Sequence, residues 1–322
     1  MNSLLEIKNL KIRFENKDLI TYAVNDISFI VKLGESVGIV GESGSGKSVT
    51  AKSILKLLGK NTKISGSILF NGEELLDKND DFMKTIRGSK ISMIFQDPMT
   101  SLNPLFTIGT QMKRLIKRHL KNLNNTQIKK KSIEYLNLVG IPDAEKRLKN
   151  YPHEFSGGMK QRVMIAMALC LEPNLIIADE PTTALDVTIQ AQILNLINNL
   201  NSKKDRSLIL ITHDLGVVAN TCDRVIVMYS GMIMEMATVE ELFNNPKHPY
   251  TIGLLNSLPK LECNKRLTPI SGNPPDMTKK ITGCPFCERC KDRLEICNKC
   301  IPEIKKISNN HFSRCHLFGG DE

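Results

Sequence analysis

Two short stretches carry residues of the right type and spacing for phosphate chemistry. Gly41-Glu42-Ser43-Gly44-Ser45-Gly46-Lys47-Ser48 fits the pattern G-x-x-x-x-G-K-S/T. Glycines in such a loop let successive backbone N–H groups turn inward and cradle phosphate oxygens. The expected contacts are Gly41, Ser43, Gly44, Ser45, Gly46 and Val49, with Lys47 reaching the β- and γ-phosphates and the Ser48 hydroxyl on Mg²⁺. The second stretch, Leu175-Ile176-Ile177-Ala178-Asp179-Glu180, is an apolar run ending in two adjacent acids. Ligands of open α/β sheets sit at such strand ends. Asp179 is suited to hold Mg²⁺ and Glu180 to polarise an attacking water as general base. An Asp-Glu pair alone carries little weight; its value comes from the loop upstream. Together the two describe a nucleotide hydrolase or a nucleotide switch.

A third stretch, Ser156-Gly157-Gly158, precedes a helix-like segment. Bare backbone N–H groups and a hydroxyl at the positive end of a helix form a second anion site. Two such loops in one chain make sense if the second serves another subunit's nucleotide. A fourth feature lies near the end of the chain, where six of the nine cysteines (284, 287, 290, 297, 300 and 315) fall in the last 39 residues. Such a cluster reads as a metal site before it reads as disulfides. Four thiolates suit tetrahedral Zn²⁺ or an iron–sulfur cluster, and the opening C-x₂-C-x₂-C resembles the start of a ferredoxin run, which nominates Cys284, Cys287 and Cys290.

The elements that must position these residues follow from hydrophobic periodicity. Leu5, Ile7, Leu10, Ile12 and Phe14 alternate with polar residues, as does the segment 23–29, so both are expected as strands near an edge. Residues 36–40 form a continuous apolar run, which suits a strand covered on both faces. A helix is expected over 48–58, stopped by Gly59. Apolar runs at 175–178, 208–211 and 225–228, each beyond a helical or loop stretch, imply parallel β-α-β units. Residues 99–151 contain no strand-like run and read as a helical insertion with a helix near 127–139. After about residue 237 the chain becomes rich in Pro, Lys and Cys, which marks a loop-rich appended domain.

Composition bounds the rest. A chain of 322 residues suggests one large domain or two ordinary ones. No run approaches the roughly 18 apolar residues of a membrane-spanning helix, and the N-terminus lacks the apolar stretch of a secretory signal. Exported and integral-membrane classes are therefore not expected. The net charge of +10 is unevenly spread: residues 111–150 hold eleven Lys/Arg against three Asp/Glu. That excess is either a solvated helical face or a surface apposed to nucleic acid or an anionic leaflet.

At Phe155-Ser156-Gly157-Gly158-Met159-Lys160-Gln161-Arg162 the sequence resembles the ATP-binding cassette (ABC) family, whose signature loop has this form with Leu first and Gln fifth. The resemblance implies an α/β P-loop NTPase fold, RecA-like, with a helical subdomain insertion and here a small Cys-rich C-terminal extension. It implies core parts at 1–98 and 161–237, the helical subdomain at 99–160 and the extension at 238–322. It also implies ATP and Mg²⁺ as cofactors. By the same resemblance Gln96 matches the loop glutamine that senses Mg²⁺ and water, and His213 the switch histidine on the γ-phosphate. Asp186 matches the loop that crosses the dimer interface, although it suits a helix N-cap as well. Tyr22, 25 residues before Lys47, falls where the family stacks adenine.

Longer motifs narrow the branch. Phe95-Gln96-Asp97-Pro98-Met99-Thr100-Ser101-Leu102-Asn103-Pro104 is similar to peptide and nickel importers, as are residues 178–188, His248-Pro249-Tyr250-Thr251 and Ser271-Gly272-Asn273-Pro274-Pro275. The implied function is the ATP-hydrolysing subunit of an importer for di- or oligopeptides, peripheral on the cytoplasmic face of the membrane. The implied partners are a second, paralogous ATPase subunit, two integral-membrane permeases and an extracytoplasmic binding protein, with no nucleic acid. The branch also has four cysteines spaced C-x₅-C-x₆-C with a distant last one. They fall on Cys284, Cys290, Cys297 and Cys315 and imply a 4Fe–4S cluster, with Zn²⁺ the alternative. Other readings are a nickel-chelate importer, a soluble ABC ATPase acting on nucleic acid or ribosomes, and a metal- or redox-sensing regulator.

Overall fold

The first strand shows how the apolar pattern becomes a buried face. In the computed structural model Ser3–Asn16 and Leu19–Lys32 are antiparallel partners, and Leu5, Ile7, Leu10 and Ile12 are all buried. The step of three between Ile7 and Leu10 breaks strict alternation. A register shift there, with Asn9 at φ 47°, returns Leu10 to the buried side as a β-bulge does. Ser3–Asn16 also pairs with Thr62–Phe70, which pairs with Glu73–Glu74, and Leu19–Lys32 is the sheet's edge.

The structure describes residues 3–16, 19–97, 101–181, 190–195, 206–257 and 269–318. The chain divides into two units. One comprises Met1–Lys32, Ser36–Asp77 and Thr212–Glu322, the other Leu33–Glu35 and Lys78–Ile211. In the first unit Ser36–Val40, buried at every position, runs parallel to Arg224–Tyr229. Arg224–Tyr229 pairs antiparallel with Met232–Thr238, and the two-residue strands Phe312–Ser313 and Lys305–Lys306 extend that edge. The tail is thus built into the first unit.

The helix after the glycine loop is Lys47–Ile54, ending four residues before the apolar stripe suggests. It ends in a Schellman arrangement: Leu57 N–H donates to Lys52 O and Lys56 N–H to Ser53 O, with Lys56 itself left-handed at φ 50°. Lys56 takes the conformation that the sequence leads one to expect at Gly59.

In the second unit Ile91–Ile94, Leu175–Asp179 and Ser207–Ile211 form a parallel set, each buried at nearly every position. Residues 101–174 contain no strand. They fold instead into the helices Ile108–His119, Asn125–Leu138, Ala144–Arg147 and Gly157–Leu169. Ile108, Met112 and Ile116 form a buried i, i+4, i+8 stripe, while Lys113, Arg114, Lys117 and Arg118 on the same helix are exposed. Within the basic stretch Lys129 pairs with Glu145 at 2.5 Å and Lys131 with Glu172 at 3.2 Å. No helix among the described residues is long and apolar enough to cross a membrane.

Candidate functional site

The phosphate loop follows the strand Ser36–Val40 and opens the helix Lys47–Ile54. Gly41 has φ 148° and Gly46 φ 96°; a Cβ on Gly41 meets the Met228 carbonyl, and one on Gly46 comes within 2.5 Å of Ala23 O. Only glycine takes these two conformations at such close approach. Gly46 is the helix N-cap and brings no side-chain cap of its own, so the first turn Lys47, Ser48 and Val49 begins at a bare glycine. Ser43 and Gly44 are exposed at the crown; Ser45, Gly46 and Lys47 are buried. The Lys47 ammonium lies inside the loop, donating to Gly41 O and Glu42 O at 2.8 Å each and to Ser45 Oγ at 3.2 Å. Loop carbonyls thus hold this charge at the positive start of a helix, which suits an anion.

Asp179 ends its strand buried at 2% exposure, and Glu180 follows half-buried with φ 45°. A non-glycine residue in that region is a local strain that the surroundings must hold. Glu180 N–H donates to Ile211 O at 2.9 Å, which anchors the turn. Gln96, just past the strand Ile91–Ile94, donates from Nε2 to Glu180 Oε2 at 2.8 Å. Two residues 84 positions apart therefore meet at one carboxylate. Ser156 is the N-cap of Gly157–Leu169, its Oγ accepting from Met159 N–H at 3.4 Å, with no acid in the first turn. Gly157 is exposed and Gly158 half-buried at that helix start. Gln161, to which the motifs assign no role, is buried and donates from Nε2 to Pro181 O at 2.5 Å. It ties this helix to the residue after Glu180, and its place within the signature stretch was the available signal.

Three other expected residues complete the set. His213 is exposed, immediately before the N-cap Asp214 of helix Leu215–Thr221. Tyr22 donates its N–H to Met277 O at 2.8 Å and lines a cavity of about 480 Å³ with Ile12, Val24, Ile64, Met232 and Ile281. Asp186 lies outside the described residues.

Comparison with known proteins decides the family. The chain matches the ABC transporter family over residues 24–183 and the oligopeptide/dipeptide transporter C-terminal region over residues 234–297. It is 49% identical to the oligopeptide transport ATP-binding protein OppD of Salmonella typhimurium over 315 residues, 98% of this chain and 93% of that one. It is 50% identical to the dipeptide transport ATP-binding protein DppD of Bacillus subtilis over 320 residues, covering 98% and 95%. The chain belongs to the ABC transporter ATP-binding proteins. A dimeric post-hydrolysis state of an ATP-binding cassette bound to ADP and Pi matches with TM-score 0.66 and 30% identity, over 73% of this chain and 98% of that one. The fold is that of an ABC ATPase cassette, and the activity of the family is ATP hydrolysis.

The cassette's tail brings the cysteines together without forming a finished metal site. Cys284 N–H donates to Cys297 O at 2.7 Å. Burial first, then the neighbouring Cys297 and Cys315, push the Cys284 thiol up to about 12. Cys290 and Cys315 are raised by burial and by Cys297 as well. Cys287 is also raised by burial and Cys297, and its Sγ contacts Asn298 Oδ1 at 3.2 Å. Cys300 is exposed and sits beside His316. Among the described residues no three His, Cys, Asp or Glu side chains stand at metal-holding separation.

Proposed function

We propose that this cassette powers uptake of di- or oligopeptides through membrane permeases. The observation that carries the cargo class is the near full-length likeness to oligopeptide and dipeptide transport proteins, tail included. In this reading the loop Gly41–Ser48 and Lys47 bind the triphosphate, with Ser48, Gln96 and Asp179 the Mg²⁺ ligands. Glu180 takes the proton from the attacking water. The Gln96 amide, bonded to Glu180 Oε2, orients that carboxylate for the task. His213 contacts the γ-phosphate, and Tyr22 stacks on adenine.

A second cassette completes each site. The capped but empty-faced start of Gly157–Leu169 suits another subunit's nucleotide, with Asp186 at the shared interface. Donors aimed at the transferred phosphoryl group stabilise its charge, so the lone chain is expected to be slow. The partner is taken as a paralogue. Two permeases and an extracytoplasmic binding protein complete the assembly, with this subunit peripheral on the cytoplasmic face. Nucleic acid has no part in it.

In the reconstituted complex Glu180→Gln is expected to keep ATP binding and lower turnover by about 10²–10⁴-fold. Lys47→Ala is expected to weaken binding itself. Unchanged hydrolysis in Glu180→Gln, with the partner's site disabled, would sink the assignment.

The tail is read as a 4Fe–4S site on Cys284, Cys290, Cys297 and Cys315, with Zn²⁺ the alternative. Supporting it, the Cys284 N–H donates to Cys297 O at 2.7 Å, which ties two of the four to each other through the backbone. Bound there, the group supplies cross-links that pin a loop-rich segment. Anaerobic purification followed by iron, sulfide and zinc assays tests this. Zinc without sulfide overturns the cluster, and metal lost in Cys287→Ser but kept in Cys290→Ser overturns the ligand set.

A further inference from the structure

The second residue of the phosphate loop is gripped from the tail. Glu42 N–H donates to the Tyr250 hydroxyl at 2.9 Å, so this amide is turned to the tail side of the loop. The Glu42 carboxylate pairs with Arg289 Nη1 at 2.8 Å, the two side chains being 26% and 6% exposed. Glu42 O in turn accepts from Lys47 Nζ and from Ser45 N–H, so whatever holds Glu42 also holds the backbone that holds the lysine.

Arg289 is itself overdetermined. Its Nη1 reaches the Tyr229 hydroxyl at 3.1 Å, Nε donates to Ser271 O at 3.0 Å, and Nη2 donates to Ile270 O at 3.3 Å. Its guanidinium carbon lies 5.6 Å from the Tyr229 ring centroid and 5.9 Å from that of Phe286. Tyr229, Tyr250 and Phe286 pack on one another in the same cluster. Burial alone lowers the basicity of Arg289, but the bonds to Glu42 and Tyr229 outweigh it and hold the charge. Tyr250 is fixed just as firmly. It follows the N-cap His248, whose Nδ1 accepts the Tyr250 N–H at 3.0 Å, while His248 N–H donates to the buried Glu235 at 2.9 Å.

We infer that Arg289 is a positioning residue for the phosphate loop, holding Glu42 neutralised and fixed where the loop must receive a triphosphate. The physical reason is charge. A carboxylate on the loop, left without its guanidinium, repels the highly charged ligand and is free to swing. Arg289 closes the turn Cys287–Arg289 and is followed by Cys290, so whatever orders or releases those thiols bears directly on the loop. The inference rests on the chain being an ATPase.

The test is steady-state ATP·Mg²⁺ kinetics of the reconstituted complex, with wild-type hydrolysis as the control for that reading. Arg289→Met is expected to raise KM for ATP about ten-fold with kcat within about two-fold, since binding rather than chemistry loses its support. Arg289→Lys keeps the charge without the fork and is expected to fall in between. The decisive variant is Arg289→Met with Glu42→Gln: removing the orphaned charge is expected to bring KM back toward wild type. A purely structural role predicts that this double variant is as poor as Arg289→Met or worse, and that result overturns the inference. Unchanged KM in Arg289→Met overturns it too. If Arg289→Met does not fold, Arg289→Lys carries the test alone: a KM equal to wild type overturns the inference, and a rise supports it. An inactive wild-type complex would instead refute the ATPase reading.

Discussion

The chain has two glycine-bearing helix starts that read alike in sequence and differ in structure. At Gly46 the N-cap is left-handed, no side chain caps the first turn, and a buried lysine sits inside the loop. At Ser156 the N-cap is extended, the serine hydroxyl caps Met159 N–H, and the flanking Gly157 is exposed. The first brings its own cation and closes around it. The second is an ordinary capped helix end with an open face, complete as a piece of structure and incomplete as a binding site. Under the proposed function, the first loop binds ATP within one chain and the second serves the nucleotide of another subunit.

The largest expected effect breaks the first loop. Gly46→Ala forces a Cβ to within 2.5 Å of Ala23 O at a φ of 96°. The conformation alone costs about 1–3 kcal/mol. The backbone clash adds to it, and the loop is expected to open. ATP binding by the isolated chain should then vanish, as read by equilibrium binding, together with a clear fall in Tm. Retained ATP affinity would mean that the left-handed N-cap is not what shapes the site.

Gly157→Val sharpens the contrast. Among the described residues nothing beyond its chain neighbours and its own helix backbone lies within 4 Å of a Cβ built on Gly157. The isolated chain is therefore expected to bind ATP as before, with an unchanged Tm. If the proposed pairing sets this face against another subunit's nucleotide, hydrolysis by the assembled pair should fall by about 10²–10³-fold, the scale of losing one transition-state contact. A loss of ATP binding by the lone chain would show that the two loops are not separate sites.

Much of this contrast was legible beforehand, because both loops are local motifs. The parallel strands were too: the apolar runs at 175–178, 208–211 and 225–228 lie within Leu175–Asp179, Ser207–Ile211 and Arg224–Tyr229. The helix expected at 127–139 is Asn125–Leu138, fixed by the Asn124–Gln127 capping box. What one sequence hides is long-range pairing. Met232–Thr238 places Glu235 in the core at 0% exposure, because His311 reaches it from 76 residues away. Neither the glutamate nor the histidine signals the other. The Arg289–Glu42 pair spans 247 residues and is invisible for the same reason. The helix end at Ile54 was missed because Lys56, not a glycine, adopts the left-handed turn.

The smallest expected effect isolates the cap. Ser156 Oγ accepts from Met159 N–H at 3.4 Å, a long bond, so Ser156→Ala should cost only about 0.5–1 kcal/mol, the low end for an N-cap. That corresponds to a Tm shift of a few degrees at most. Ser156→Asp restores a good cap and favours the positive helix end, so it should recover the Tm. No matching pair of variants exists at Gly46, where there is no side-chain cap to lose. A cost above about 2 kcal/mol in Ser156→Ala would mean that the hydroxyl supports more than its own helix. No cost at all, or no recovery in Ser156→Asp, would mean that the cap is not formed and that the second loop is as bare as the first.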